Sequence, residues 1–104
     1  MDMPNPDQPR WDVALEALLA EQFHSTATPL SQADLQRLGH AYTIRLDDLL
    51  DTLCLMVEHG TWVYIDPDGN EATPDRNIVK LLHANYRLNP VQLERLGGSW
   101  RPAG

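Results

Sequence analysis

Apolar and polar positions follow a helical period most clearly in the middle of the chain. In LDDLLDTLCLMVEHG, residues 46–60, Leu46, Leu49, Leu50, Leu53, Met56 and Val57 recur at steps of three and four and share one face. Asp47, Asp51 and Glu58 lie along the opposite face, with Asp48 and Thr52 beside them, and Gly60 stands where a helix commonly stops. The next run, TWVYI, changes to the period of a strand, with Trp62 and Tyr64 on one side and Val63 and Ile65 on the other. Asp66-Pro67-Asp68-Gly69-Asn70 supplies turn residues, so a hairpin is expected, its returning strand cut short by Pro74.

The same periodicity predicts a helix over residues 10–24, with Trp11, Leu15, Leu18, Leu19 and Phe23 as its apolar stripe and Asp12, Glu16 and Glu21 toward water. STATPL, residues 25–30, reads either as a loop or as a very short edge strand, because Pro29 interrupts it. Ser31 caps a helix with Asp34 at its third position; Ala33, Leu35 and Leu38 face inward, Gly39 ends the helix, and HAYTIR turns into the central one. Thr73 as cap and Pro74 at the first position open a further helix that runs to Asn89-Pro90, with Ile78, Val79, Leu81, Leu82 and Tyr86 inward. A last short helix, residues 90–96, is capped by Asn89. Leu30-SQAD-Leu35 and Leu88-NPVQ-Leu93 echo each other, but their flanks do not, so the likeness is a shared way of starting a short helix and not a repeat. Residues 1–9, with three prolines, read as a disordered leader, with Pro9 placed to open the first helix. Residues 98–104 read as a loose tail in which Trp100 is available to dock on the core.

Helix, short extended segment, capped short helix, turn, long helix, strand, turn, short strand: this order, carried by LSQADLQRLG, the helix from Leu46 and Gly60-TWVYIDPDGN, is similar to the winged helix-turn-helix superfamily over residues 10–73. The expected fold class is mainly α with a small β-hairpin: a winged-helix-like core followed by two C-terminal helices, all within a single domain of residues 10–97. In DNA-binding members the second helix of the unit enters the major groove and the hairpin turn touches the backbone. The resemblance puts that role on the outward face of residues 45–59, which offers Asp47, Asp48, Asp51, Thr52, Leu55 and Glu58 beside Arg45 alone. Asp66, Asp68 and Glu71 make the turn acidic as well. Carboxylates in those places would meet phosphates, so the chain departs from the DNA-reading pattern, and a protein-interaction use of the fold fits these surfaces better.

Charge sharpens this picture. The chain of 104 residues carries −7, which disfavours a generic polyanion or anionic membrane. The charge is uneven: residues 1–75 hold 14 acids against 3 bases, and residues 76–104 hold 5 bases against 1 acid. Arg76, Lys80, His83 and Arg87, spaced four, three and four apart, predict one basic stripe on the helix after Pro74. The stripe is either an ordinary solvated face or a docking surface for an acidic partner, a second copy of the chain, or a phosphate backbone. Leu55 within the acidic face is either a lone exposed leucine or is covered by the first helix, by Trp100 or by a partner; apolar surface ringed by acids suits a basic, amphipathic segment.

Motifs for chemistry are not found. Cys54, the single cysteine, rules out an internal disulfide, and its helical neighbours Leu50, Asp51 and Glu58 supply no base to activate it. Asp66-x-Asp68-x-Asn70 begins like a calcium loop, but Glu71 and Asn77 stand where glycine and glutamate belong. His24, His40, His59 and His83 show no metal-ligand spacing, so no metal or cofactor is implied and no catalysis is expected. The start has no secretory pattern and no run has the length of a membrane span, which places the expectation in the cytoplasm. The expected function is that of a small winged-helix-like regulatory or adaptor protein acting through contacts with another protein or with itself as a homo-oligomer. The candidate contact residues are Arg76, Lys80, His83, Arg87, Asp47, Asp51, Leu55 and Glu58. The alternative is a transcriptional regulator, monomeric or dimeric, that binds DNA through the basic C-terminal surface.

Overall fold

The computed structural model describes residues 11–104, so the expected leader and the role of Pro9 lie outside the described residues. The elements in chain order are α1 (Val13–Thr26), β1 (Leu30–Ser31), α2 (Gln32–Tyr42), α3 (Leu46–Glu58), β2 (Trp62–Ile65), β3 (Glu71–Ala72), α4 (Arg76–His83), α5 (Pro90–Glu94) and β4 (Ser99–Pro102). The four strands form one antiparallel sheet in the order β1-β4-β2-β3. The fold is therefore mixed α/β: the expected hairpin of β2 and β3 is present, but it is only half of the sheet.

The largest correction concerns the C-terminus. Residues 98–104 were expected as a tail, yet β4 lies between β1 and β2, with Trp100 opposite Leu30 on one side and Tyr64 on the other. Trp100 is fully buried, and its ring lies 4.6 Å from that of Tyr64. The physical reason is that burial of the indole acts together with backbone pairing to β1 on one side and β2 on the other, and the two jointly offset the ordering of these residues. Gly98 permits the entry: its φ of 109° is one that residues with a Cβ rarely adopt, and a Cβ there would collide with the Ile65 carbonyl oxygen. The Tyr64 hydroxyl donates to the Gly97 carbonyl and fixes the same junction.

Helix boundaries shift for local reasons. Asp12 caps α1 through Ala14 N–H at 2.8 Å and Leu15 N–H at 3.3 Å, so the helix starts at Val13. Of its stripe only Leu19 is fully buried; Leu15, Leu18 and Phe23 pack half-buried against the core. Ser31 caps α2 in a capping box with Asp34, and Leu30 and Leu35, at the staple positions around it, are both fully buried. Asn89 and Gln92 repeat the box at α5, which accounts for the echo between the two segments. Gly39 does not end α2, and Ala33 is exposed; the helix continues to Tyr42 and closes on Thr43 at φ 56°. Gly39 serves close approach instead, since a Cβ there would lie 2.5 Å from the Ile44 carbonyl oxygen.

α4 is shorter than expected at both ends. Its cap is Asp75, not Thr73, because the Asp75 carboxylate accepts from both Asn77 and Ile78 while Pro74 is buried in front of it. It stops at His83 because Asn85 adopts φ 68°, and the Tyr86 and Asn85 N–H groups close on the Leu81 and Leu82 carbonyls. Tyr86, expected inward, is consequently exposed. The core lies around α3, which packs against α1, α2, α4 and β2. Leu49, Leu50, Leu53 and Met56 of α3 are fully buried in it. Gln32, at the start of α2, ties that helix to the α5 region by donating to the carbonyls of Leu93 at 2.6 Å and Leu96 at 3.0 Å.

Candidate functional site

The acidic face of α3 and the basic stripe, read from the sequence as separate surfaces, are brought side by side at the surface, where His83 of the stripe contacts two acids of α3. α4 and the residues after it run back along α3. Arg76 shares a cavity of about 300 Å³ with Glu58, Cys54 and Val79. His83 lies between two acids of α3: Nδ1 is 2.5 Å from Asp51 Oδ1 and Nε2 is 3.2 Å from Glu58 Oε1. Further along, Asn85 accepts a hydrogen bond from Arg45 at 3.4 Å, and Arg87 shares a depression of about 420 Å³ with Asp47, Leu46 and Leu93. Ile78, Val79 and Leu82 bury the apolar side of α4 and hold it there. The expected single stripe is broken by this arrangement: Arg76, Lys80 and His83 stay on α4, and Arg87 is carried past its end.

Both ring nitrogens of His83 face carboxylates, and only the imidazolium donates from both. Burial alone would lower the His83 pKa, but the hydrogen bonds and negative charges of Asp51 and Glu58 together outweigh it and raise it above the usual 6.5. The two carboxylates meet opposite sides of the ring, so the trio does not converge on a point, and no cluster of three such ligands for a metal exists among the described residues. Cys54 lies beneath the same seam. Burial first, and then the charges of Asp51 and Glu58, push its thiol up to about 12, which leaves it protonated and unreactive.

On its other flank α3 opens to α1. A groove of about 460 Å³ runs between the start of α1, the α2–α3 turn and α3 itself. Leu55, half-buried, lines it together with Trp11, Leu15 and Ile44, so the first helix and not Trp100 is what borders Leu55. Thr52, expected on the exposed face, is buried at the base of this groove. Asp12, Asp48 and Asp51 provide its charge, with Arg45 as the one cation, held by Asp48 at 3.1 and 3.2 Å. The sequence marked Leu55, Asp48 and Asp51. It did not mark Trp11, Asp12, Leu15 or Ile44 as parts of the same site, because the crossing of α1 over α3 brings the first three there and the α2–α3 turn brings Ile44.

Among the described residues, Arg76, Lys80 and Arg87 make no ion pair, whereas Arg37, Arg45, Arg95 and Arg101 each hold an acid. No helix among them is long and apolar enough to cross a membrane. Comparison with known proteins finds no matching family model, no matching curated protein and no matching solved structure.

Proposed function

We propose that this chain is a small winged-helix-like adaptor or regulatory module that acts through contacts with other proteins and carries no catalysis. The order α1-β1-α2-α3-β2-β3 supports the winged-helix likeness, with β4 as an addition between β1 and β2. One observation carries the reading. His83 bridges Asp51 and Glu58, so the chain's own α4 lies along that edge of the outward face of α3, and the rest of the face would bring Asp47 and Asp48 to the phosphates of a major groove. The hairpin turn, with Asp66 and Asp68, adds only negative charge where a wing would meet phosphates.

A second reading keeps some support from Arg76, Lys80 and Arg87, three cations without an acidic partner among the described residues. Fluorescence anisotropy with labelled duplex DNA at physiological salt separates the two. The protein-contact reading predicts binding no tighter than about 10⁻⁵ M, the non-specific range. Nanomolar, sequence-dependent binding that is lost when Arg76, Lys80 and Arg87 are changed to Gln would establish the second reading instead.

A further inference from the structure

We infer that the cavity between α3 and the start of α4 is a binding site for a small apolar carboxylate, whose acid group meets Arg76 and whose body lies against Cys54, Val57, Pro74 and Val79. The inference goes beyond the protein-contact reading and does not depend on it. The cavity holds about 300 Å³, is less open than the groove between α1 and α3, and is lined mostly by apolar surface. Cys54, Pro74 and Val79 are buried and Val57 is half-buried, so these walls belong to the core. Such a volume stands at the small end of ligand pockets, which combine apolar walls with a few polar groups at fixed places.

The charges around the cavity select an anion. Its lining has two charged side chains, Glu58 and Arg76. Glu58 is engaged by His83 at 3.2 Å. Asp75, next to Arg76 in the chain, caps α4 and faces Arg95 at 3.6 Å. Arg76 pairs with neither acid, and among the described residues it is the charge in this lining without a partner. The Cys54 thiol, pushed up to about 12 chiefly by burial, stays protonated and adds no negative charge. A guanidinium offers a carboxylate two parallel hydrogen bonds. Inorganic phosphate would satisfy Arg76 and leave the apolar walls uncovered. An uncharged ligand would cover the walls and leave Arg76 to water.

The test is a titration of the full chain with isovalerate and with phenylacetate, followed residue by residue through amide NMR shifts. Isovaleramide and phenylacetamide are the uncharged controls. At least one acid is expected to bind saturably, with a dissociation constant of about 1 mM or tighter, and with the largest shifts at Cys54, Val57, Thr73 and Val79. Its amide should bind at least about tenfold more weakly. Arg76→Gln, at an exposed position, should weaken the acid by about tenfold and leave the amide within about twofold. Lys80→Gln removes the same charge from an exposed position outside the lining and should change either affinity by less than about twofold. Val57→Trp fills the cavity and should abolish binding. Circular dichroism checks that each variant is folded, and Arg76→Gln against Lys80→Gln decides the matter if Val57→Trp is not. No saturable binding of either acid, equal binding of acid and amide, shifts centred elsewhere, or equal losses in the Arg76 and Lys80 variants overturns the assignment. So does inorganic phosphate binding as tightly as the acids, since the apolar walls would then contribute nothing.

Discussion

Replacing Trp100 by alanine is expected to cost about 3–5 kcal/mol, as truncations of buried tryptophan do. The side chain is fully buried at the centre of the sheet, opposite Leu30 and Tyr64, so its loss opens a cavity between β1 and β2 and removes the reason for the last residues to be ordered. Against a typical total of about 5–15 kcal/mol, such a loss leaves the sheet close to unfolding. Trp100→Phe should cost clearly less. The indole N–H has no hydrogen-bond partner, so phenylalanine gives up volume but no bond. Urea denaturation measures both variants; a loss below about 1 kcal/mol for Trp100→Ala would show that β4 does not hold the sheet together.

Leu53→Ala is expected to cost about 2–5 kcal/mol by the same measurement. Leu53 is fully buried near the middle of α3, the helix against which α1, α2, α4 and β2 all pack, so the cavity cannot be closed by moving one neighbour alone. Leu55→Ala, two residues on, is the internal comparison. Its side chain lies half-exposed in the groove, and the loss there should be well under that of Leu53. Equal costs at the two positions would mean that the apolar face of α3 is not the organising surface of the core.

Features set by near neighbours were legible in the sequence. The helical period of residues 46–57, the caps at Ser31 and Asn89, the strand at Trp62–Ile65 and its turn all follow from spacing and local chemistry. Choices between competing local signals were not. Gly39 looks like a helix stop but serves a close approach by Ile44, and Asn85 stops α4 where the apolar pattern would have carried it on to Leu88. β4 was hidden for a different reason: SWRP has no alternation long enough to mark a strand, and its order comes from partners far away in the chain, Leu30 and Tyr64. The site was legible in the same uneven way. Asp51, Glu58 and His83 stood out as charges on two helix faces, but that they meet depends on α4 folding back along α3 across 25 and 32 residues.

The contact between α4 and α3 is the centre of this account, and the titration of His83 followed by NMR tests it most directly. Protonated His83 satisfies both Asp51 and Glu58, so its pKa in the folded protein should lie above the usual 6.5. The sign for stability follows: because the folded-state value is raised, the contact contributes fully below about pH 6.5, and its contribution fades as pH rises through the folded-state value. In a variant with Asp51→Asn and Glu58→Gln the burial of the ring remains while both charges are gone, so the His83 value should fall to 6.5 or below. A wild-type value at or below 6.5, or one that the double variant leaves unchanged, would contradict the packing of α4 across the acidic face of α3.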